Sequence, residues 1–338
     1  MKILVTGDRG YIGAVFVPRL LAAGHEVVGL DAGWYDGCDF GRYAPDYDSR
    51  TGDVRDVTVD DLRGFDAVVQ LAAISNDPVG HLNPEATYSV NAYGAEHVAQ
   101  MAKAAGVGRF VFASSCSLYG AAGDEPVDET GETNPVTPYG ESKILAEKLL
   151  SKLADDSFSP TYMRNATAYG SSPRLRADIV VNNLSGVAHT QGEVRLQSDG
   201  TPWRPLVHIA DISLAMECVL AAPREAVHDQ AFNVGRDEDV VQIRTIAEAV
   251  AAKFGCPVTF APGASADTRN YQVSFEKIHR VLPDFRPAWT VPRGIDELAG
   301  HMAERGLTTA EFEHTFVRLE RINELQTSGR MDDLLRMR

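Results

Sequence analysis

Two short segments carry hydroxyl, thiol and ammonium groups that could move a proton. Residues 114–120, SSCSLYG, follow the apolar segment RFVFA, and PYGESK at 138–143 places Tyr139 four residues before Lys143. Residues four apart share one helix face, so an ammonium there would lower the phenol pKa from about 10 toward the working pH. The spacing therefore predicts Tyr139 as a general base, and the alternative is a surface helix with an exposed lysine.

A glycine-rich segment, TGDRGYIG, places Gly7, Gly10 and Gly13 between the apolar run KILVT and a helical pattern. Glycines there allow a tight turn and close approach of a diphosphate, which the N–H groups of the helix N-terminus then bind. Asp31, at the end of the next apolar segment, could accept hydrogen bonds from a ribose diol, which favours NAD over NADP. Asp53 would follow a third strand on the adenine side, or is an ordinary loop acid.

The elements that position these groups follow from apolar periodicity. Short apolar segments alternate with helical patterns; strands are expected at 2–6, 26–30, 66–71, 109–113 and 160–164, and helices at 11–23, 84–105 and 138–154. Nearly continuous apolar strands separated by helices predict an α/β fold with a Rossmann-type, doubly wound parallel sheet.

The pattern becomes irregular after residue 166, which predicts a smaller second lobe. We expect an NAD-binding domain at 1–165 with a return segment at about 205–235, and a substrate-binding lobe with a helical tail at 166–338. QAFNVG (230–235) indicates a strand that returns to the main sheet, and a helix is expected near 242–254. Apolar residues at 310–330 predict a terminal helix that packs on the body or on a second subunit.

Composition excludes several classes of protein. The 338 residues carry a net charge of −15, which argues against a general affinity for nucleic acid or anionic membrane. No apolar run approaches the roughly 20 residues of a membrane span, and MKILVTG enters a strand without a signal-peptide pattern, so a cytoplasmic protein is expected. The four cysteines form no CxxC, and neither disulfides nor a metal site are predicted.

Taken together, the motifs resemble those of the extended short-chain dehydrogenases/reductases, specifically the nucleotide-sugar epimerase/dehydratase family. TGDRGYIG, LAA (71–73), SSCSLYG, PYGESK, RNATAYG (164–170) and RPLVHIAD (204–211) occur in the family's order and spacing. The resemblance implies NAD as cofactor, a nucleotide-diphosphate sugar as substrate, and a homodimer formed through the helices at 84–105 and 138–154.

The resemblance also implies the catalytic residues. The family's catalytic serine or threonine stands four positions before the tyrosine of SSCSLYG, which gives Ser115. Tyr139 would take the sugar O4 proton while the C4 hydride passes to NAD⁺, Ser115 would hold that oxygen, and Lys143 would tune Tyr139 and bind the nicotinamide ribose. Asn91 would support this network or is an ordinary polar helix residue. The implied NAD contacts are Gly7, Gly10, Tyr11, Ile12, Gly13, Asp31, Asp53, Val54, Leu71, Ala72, Ala73, Asn91, Tyr139 and Lys143.

Substrate contacts follow from the same resemblance. Asn183, Arg204 and Arg269 match segments that face the diphosphate in the family, and a bidentate guanidinium suits that task, although either arginine could also be a surface charge. Arg174 and Arg176 are further cationic candidates. The implied substrate contacts are Ser75, Ser115, Cys116, Ser117, Asn165, Thr167, Asn183, Arg204 and Arg269.

Departures from the family's pattern narrow the reaction. Family 4,6-dehydratases carry an Asp-Glu pair where this chain has Cys116 and Ser117, so dehydration of that kind is not expected, and decarboxylases often carry Glu at position 117. Thr167 replaces a family asparagine. Cys116 is either a packing residue or an acid/base group. RNATAYGSSPRLRADIVVNNL and DTRNYQVSFEKI resemble a branch that includes nucleotide-heptose 4-dehydrogenases, so the sugar need not be a common hexose.

We therefore expect an NAD-dependent nucleotide-sugar epimerase that acts through a 4-keto intermediate. A net 4-dehydrogenase or 4-ketoreductase would use the same residues. A non-catalytic protein that senses NAD or nucleotide sugars is a third hypothesis, disfavoured because Tyr139 and Lys143 are both present.

Overall fold

The computed structural model describes residues 1–41, 43–75, 77–120, 125–265 and 270–338. Its strands are β1 (Lys2–Thr6), β2 (Glu26–Asp31), β3 (Asp48–Thr51), β4 (Ala67–Gln70), β5 (Arg109–Ser115), β6 (Pro126–Val127), β7 (Ser159–Asn165), β8 (Thr167–Tyr169), β9 (Val194–Ser198), β10 (Trp203–His208), β11 (Gln230–Val234), β12 (Val240–Gln242), β13 (Val258–Ser265) and β14 (Gln272–Val273). Its helices are α1 (Gly13–Ala22), α2 (Asp77–Leu82), α3 (Pro84–Tyr88), α4 (Gly94–Ala104), α5 (Pro138–Ser151), α6 (Val180–Gln191), α7 (Ile209–Ala221), α8 (Arg224–Val227), α9 (Ile243–Phe254), α10 (Glu276–Val281), α11 (Val291–Arg305) and α12 (Arg318–Thr327).

A seven-stranded parallel sheet organises the first half of the chain, in the order β11-β7-β5-β4-β1-β2-β3. The chain leaves β1 toward β2 on one side and later returns to β4 on the other, so the sheet has a topological switch point between β1 and β4. Ligands of such sheets bind in the crevice at the carboxyl ends of the strands there. The predicted α/β, doubly wound fold is confirmed.

The sequence pattern predicted the returning strand β11 but not the edge strand β3. β11 pairs with β7 in parallel, so the chain returns from the second half to the main sheet as expected. β3, with the sequence DSRT, was not among the predicted strands, because it is an edge strand with mostly exposed polar side chains and carries no apolar signal.

Alternation along the strands builds a core on each face of the sheet. In β1, Ile3 and Val5 belong to one buried cluster, whereas Leu4 belongs to another on the opposite face. A third buried cluster forms the second lobe around Leu206 and Ile246, beside the three-stranded sheet β12-β10-β8.

The helix predicted at 84–105 is interrupted. α3 ends at Tyr88, the five residues Ser89–Tyr93 form a π-helical turn, and α4 continues from Gly94. Such turns are frequent at functional sites because they re-aim a side chain out of the regular helical series. Here the turn holds Asn91.

The tail is also divided. A π-helical turn at Glu311–Thr315 precedes α12, so a single helix over 310–330 is wrong. Phe312 and Phe316 pack in the core of the second lobe, whereas Ile322 and Leu325 pack in a core cluster of the main sheet. The tail therefore crosses from one lobe to the other. We call residues 316–338 the C-terminal strap.

Among the described residues, no helix has the length and apolar character that a membrane span requires. No cluster of three or more His, Cys, Asp or Glu side chains in this part of the chain could hold a metal ion.

Candidate active site

A large cavity of about 1130 Å³ opens at the carboxyl ends of the central strands and extends to the second lobe. It gathers most of the residues predicted from the sequence. Those that line it are Gly7, Gly10, Tyr11, Ile12, Gly13, Asp31, Asp53, Val54, Leu71, Ala72, Ala73, Ser75, Ser115, Ser117, Tyr139, Lys143, Asn165, Thr167, Asn183 and Arg204. Arg269 lies outside the described residues.

The glycine-rich loop lines the cavity, and close backbone packing requires glycine at two of its positions. Gly7 has φ +71°, and a Cβ on it would lie 2.7 Å from the backbone nitrogen of Ala72. A Cβ on Gly13 would lie 2.3 Å from the carbonyl oxygen of Gly7. α1 begins at Gly13, and Gly10, Tyr11, Ile12 and Gly13 line the cavity, so the N-terminus of this helix lies at the cavity wall, where a helix dipole favours a dinucleotide diphosphate. The residues present thus fit NAD.

Asp31 lies where an adenosine ribose is expected. Its Oδ1 accepts a hydrogen bond from the Gly33 N–H at 2.8 Å, and burial raises the pKa of the carboxyl group. Arg9 donates to the carbonyl oxygen of Asp31 at 3.0 Å and to Thr51 Oγ1 at 2.9 Å, so a cation lies at the same end of the cavity. The sequence reasoning missed Arg9, although it stands inside the glycine-rich motif.

Asp53 is both a cavity residue and a structural one. It lines the cavity, and its carboxylate also accepts from the backbone and the guanidinium of Arg55, with an ion pair of 2.5 Å. The ion pair with Arg55 holds the pKa of Asp53 below its usual value even though burial opposes this.

Tyr139 and Lys143 lie on α5, and Ser115 ends β5. α5 begins sharply because Thr137 accepts a hydrogen bond from the Gly140 N–H at 3.2 Å and Pro138 occupies the first helical position. Lys143 Nζ donates to the carbonyl oxygen of Ala113 at 2.7 Å and lies 5.6 Å from the centre of the Tyr139 ring. The strand and the helix therefore bring a hydroxyl, a phenol and an amine to one side of the cavity.

The pKa values of Tyr139 and Lys143 differ from the expectation drawn from their spacing in the sequence. Burial raises the pKa of Tyr139 to about 12, opposed by a hydrogen bond with Ser115 and by the positive charge of Arg176. Burial also lowers the pKa of Lys143 to about 7. The expectation that Lys143 lowers the phenol pKa toward neutrality is thus wrong for this arrangement, because the buried amine gives up part of its charge near pH 7. The cation that does act on Tyr139 is Arg176.

Asn91 does not line the cavity. It is buried, accepts from the Ile74 N–H at 2.7 Å, donates to the Ile74 carbonyl at 2.9 Å, and donates to Ser142 Oγ at 3.0 Å. Direct contact with NAD is therefore a wrong expectation. Asn91 instead connects the loop after β4 with α5, and it helps to position the helix that carries Tyr139 and Lys143.

Cys116 also lies outside the cavity. Its side chain is fully buried, its Sγ donates to the carbonyl oxygen of Arg164 at 3.1 Å, and burial raises the thiol pKa. The expectation that it touches the substrate is corrected, because the first residue after β5 turns into the core. Ser117, two residues on from Ser115, lines the cavity.

The cationic residues of the second lobe separate into two groups. Arg204, on β10, lines the cavity and donates to the Trp203 carbonyl oxygen at 2.8 Å. Arg176 also lines the cavity, and donates to Ser75 Oγ at 3.0 Å while pairing with Asp178 at 2.7 Å.

Arg174 lies outside the cavity, in ion pairs with Asp36 and Asp39. Of the uncharged candidates, Asn183 donates to the Ala177 carbonyl oxygen at 2.8 Å, and the buried Oδ1 of Asn165 has no hydrogen-bond partner among the described residues.

Several residues that line the cavity were not predicted from the sequence, among them Trp34, Asp77 and Arg318, which each carry a polar or charged group. Asp77 begins α2 close enough to Tyr139 for its negative charge to raise the phenol pKa. Trp34 and Arg318 also line the cavity. Their sequence signals were weak, since Trp34 follows Asp31 in an irregular loop and Arg318 lies in a tail predicted only to pack.

Comparisons with known proteins show the family and the fold of the chain. The model of the NAD dependent epimerase/dehydratase family matches residues 3–235. The UDP-glucose 4-epimerase of Mycolicibacterium smegmatis is 27% identical over 311 residues, covering 87% of this chain and 96% of that protein. A structure of MoeE5 in complex with UDP-glucuronic acid and NAD covers 91% of this chain and 100% of its own, with 26% identity and a TM-score of 0.79.

The dTDP-glucose 4,6-dehydratase DesIV from Streptomyces venezuelae shares the fold, with a TM-score of 0.79 at 24% identity over 92% of this chain and all of its own. Relatives of this architecture thus include both epimerases and dehydratases, and the family match extends over more than half of the chain. The chain belongs to the NAD-dependent epimerase/dehydratase family and is an NAD-dependent enzyme of nucleotide-sugar chemistry.

Proposed function

We propose that the protein is a nucleotide-sugar 4-epimerase that works through a 4-keto intermediate. One observation carries this proposal: Ser115, Tyr139 and Lys143 lie together on one side of the cavity. The glycine-rich loop lines the same cavity. The relatives named UDP-glucose 4-epimerase support the same reaction.

The proposed cycle needs one base and one hydrogen-bonding hydroxyl. Tyr139 in its phenolate form, which the Ser115 hydrogen bond and the positive charge of Arg176 favour, accepts the proton of the sugar O4. Ser115 donates a hydrogen bond to that oxygen as it becomes a carbonyl. NAD, when bound, supplies the acceptor of the C4 hydride and the donor that gives it back. Tyr139 then returns its proton to O4, so atoms and electrons balance and no other reactant is consumed.

Inversion at C4 requires the hydride to return to the other face of the sugar. The 4-keto sugar must therefore turn over within the site, and a cavity of about 1130 Å³ offers space for that rotation. Arg204 and Asn183 would keep the diphosphate in place during the rotation, and a role for Arg269 in this binding remains part of the proposal. The substrate class is a nucleotide-diphosphate sugar.

The side chains at positions 116 and 117 do not suit a 4,6-dehydratase, which must expel the 6-hydroxyl of the sugar. Cys116 is buried outside the cavity with its pKa raised, and Ser117 is not an acid. The acid pair expected of a 4,6-dehydratase is thus missing from the end of β5, which favours epimerisation.

The alternative is a net 4-dehydrogenase or 4-ketoreductase, which uses the same residues but exchanges its dinucleotide after each turnover. A panel of nucleotide sugars should be incubated with the purified protein without added NAD, with product NMR and NADH absorbance measured together. The proposal expects a C4 epimer and no accumulated NADH. Stoichiometric NADH with a keto sugar as the product would establish the dehydrogenase instead.

Tyr139→Phe is the matched variant for the same panel. Since it removes only the phenol oxygen, turnover should be abolished while the thermal melting curve and the affinity for NAD stay unchanged. Activity in Tyr139→Phe would show that another group accepts the O4 proton.

We also propose a homodimer formed through the α4 and α5 region. Tyr93, the last residue of the π-helical turn before α4, has 55% of its surface exposed, the largest exposure among the large hydrophobic residues of the described chain. Light scattering should give a dimer mass for the parent protein and a smaller mass for Tyr93→Glu.

A further inference from the structure

The C-terminal strap crosses the adenosine end of the cavity. Arg321 donates to the carbonyl oxygens of Trp34 at 3.2 Å and Asp36 at 3.1 Å, which fastens α12 to the loop after β2. Ile322 and Leu325 pack in the same buried cluster as Trp34.

The end of the strap is fastened as well. Arg55 donates to the carbonyl oxygen of Leu334 at 2.8 Å, Asn83 donates to that of Asp333 at 2.6 Å, and Arg336 pairs with Asp56 at 2.7 Å. The strap is therefore a built part of the dinucleotide-binding half of the molecule, rather than a loose extension of the second lobe.

Arg318, the first residue of α12, turns into the cavity. It is 5% exposed, its Cζ lies 3.8 Å from the centre of the Tyr35 ring, and it donates to the Arg174 carbonyl oxygen at 3.3 Å. Among the described residues it forms no ion pair with a carboxylate; Asp178, whose charge reaches it, is already paired with Arg176.

A buried guanidinium without a counter-charge is costly, and its remaining donors suit a phosphate or a carboxylate. Burial lowers the pKa of Arg318, the direction expected when the charged form lacks a partner. The indole Nε1 of Trp34 is a second buried donor at this wall of the cavity without a hydrogen-bond partner among the described residues. Both groups point to an anionic ligand that accepts hydrogen bonds.

The position of Arg318 along the cavity indicates which anionic group of a ligand it would bind. Arg318 stacks on Tyr35, four residues after Asp31 at the ribose end, and donates to the Arg174 carbonyl oxygen. Ser172 accepts from the Arg174 N–H at 3.1 Å and donates to the carbonyl oxygen of Tyr11 in the glycine-rich loop at 2.9 Å. Arg318 thus lies between the ribose end and the loop that receives the diphosphate, whereas Arg204 lies on β10 of the second lobe.

We propose that Arg318 binds the diphosphate of NAD and that the C-terminal strap thereby helps to retain the bound dinucleotide, so that NAD stays on the enzyme between turnovers. This proposal rests on the NAD dependence of the family and holds whether the enzyme is an epimerase or a dehydratase. Retention of NAD suits a reaction in which the hydride is borrowed and returned.

The test compares Arg318→Met and Arg318→Gln, which remove the charge, with Arg318→Lys, which keeps it. Arg330→Met, which removes an exposed arginine of the same strap, is the matched control. Two quantities are measured: the rate at which bound NAD leaves the holoenzyme, by exchange against labelled NAD, and the dissociation constants of NAD, ADP-ribose and adenosine for protein freed of NAD. Melting curves report folding.

We expect NAD to leave Arg318→Met and Arg318→Gln at least tenfold faster than the parent, with a similar loss of affinity for ADP-ribose and little change for adenosine. The rate of NAD release from Arg318→Lys should lie between those of the parent and of the charge-removing variants. The rate for Arg330→Met should equal that of the parent. Unchanged NAD release in the folded charge-removing variants would overturn the proposal. So would a loss of affinity for adenosine as large as that for ADP-ribose, which would assign the effect of Arg318 to the adenosine and not to the diphosphate.

Discussion

The amine of Lys143 donates to the carbonyl oxygen of Ala113 at 2.7 Å, which ties the catalytic helix α5 to the end of β5. The same burial that fixes this contact lowers the pKa of Lys143 to about 7. The buried position of Lys143 thus sets both the geometry of the site and a pH dependence of the stability of the fold.

Lys143→Met tests the stability side of this relationship. Between about pH 7 and the ordinary lysine pKa of 10.5, the unfolded chain binds a proton that folded Lys143 does not. The contribution of Lys143 to the free energy of unfolding therefore rises with pH across this window, by at most about 1.4 kcal/mol per pH unit, and falls as pH drops toward 7. Lys143→Met should be more stable than the parent near pH 7, with the difference shrinking toward pH 10.

Urea unfolding at several pH values measures this difference. Lys148→Met changes an exposed lysine of the same helix. In this variant the free energy of unfolding should depend on pH as steeply as it does in the parent. If Lys143→Met also kept that pH dependence, the amine would not be deprotonated in the folded state.

Ser115→Ala tests the hydroxyl that is proposed to hold the sugar O4. Its removal should lower kcat by about 100-fold, the range expected for one hydrogen-bond donor in a transition state, while NAD binding is unchanged. Ser115→Thr keeps the hydroxyl and should retain most of the activity. Equal losses in both variants, measured by steady-state kinetics, would indicate a packing effect instead.

Cys116→Ala tests the placement of the thiol. Since Cys116 is buried outside the cavity, kcat and KM should stay close to those of the parent, and the loss of its contact with Arg164 should cost about 1 kcal/mol of unfolding free energy. Kinetics and urea unfolding check the two parts. A collapse of kcat with an intact fold would make the thiol catalytic.

Arg204→Met tests the second anion site. The variant should raise KM for the nucleotide sugar about 10- to 100-fold, because a charge-assisted contact to the diphosphate is lost. NAD affinity should not change, in contrast to Arg318→Met. Weakened binding of NAD alongside that of the sugar would mean that the two sites are not separate.

Much of this molecule is predictable from local sequence signals. Gly7 and Gly13, the apolar strands and the Tyr139–Lys143 spacing each report a local requirement, namely a close backbone approach, a buried strand or a shared helix face. β3 was missed because an edge strand needs no apolar side chains.

The errors at the site have a different cause. Cys116 follows Ser115 directly in the chain, and Asn91 matches a family position in the catalytic network, but a turn after β5 and a π-helical turn after α3 direct both side chains away from the cavity. Arg318 is more than 170 residues from Tyr139, and only the packing of the strap brings it to the cavity. Side-chain direction and tertiary packing are not encoded in local periodicity.

The central claim is that a hydride leaves C4 of a nucleotide sugar and returns to the same carbon. A substrate found in the panel, labelled with deuterium at C4, should be converted in ordinary water and its epimer analysed by NMR. The account predicts that deuterium is retained at C4 of the product. Replacement of the label by solvent hydrogen would contradict it.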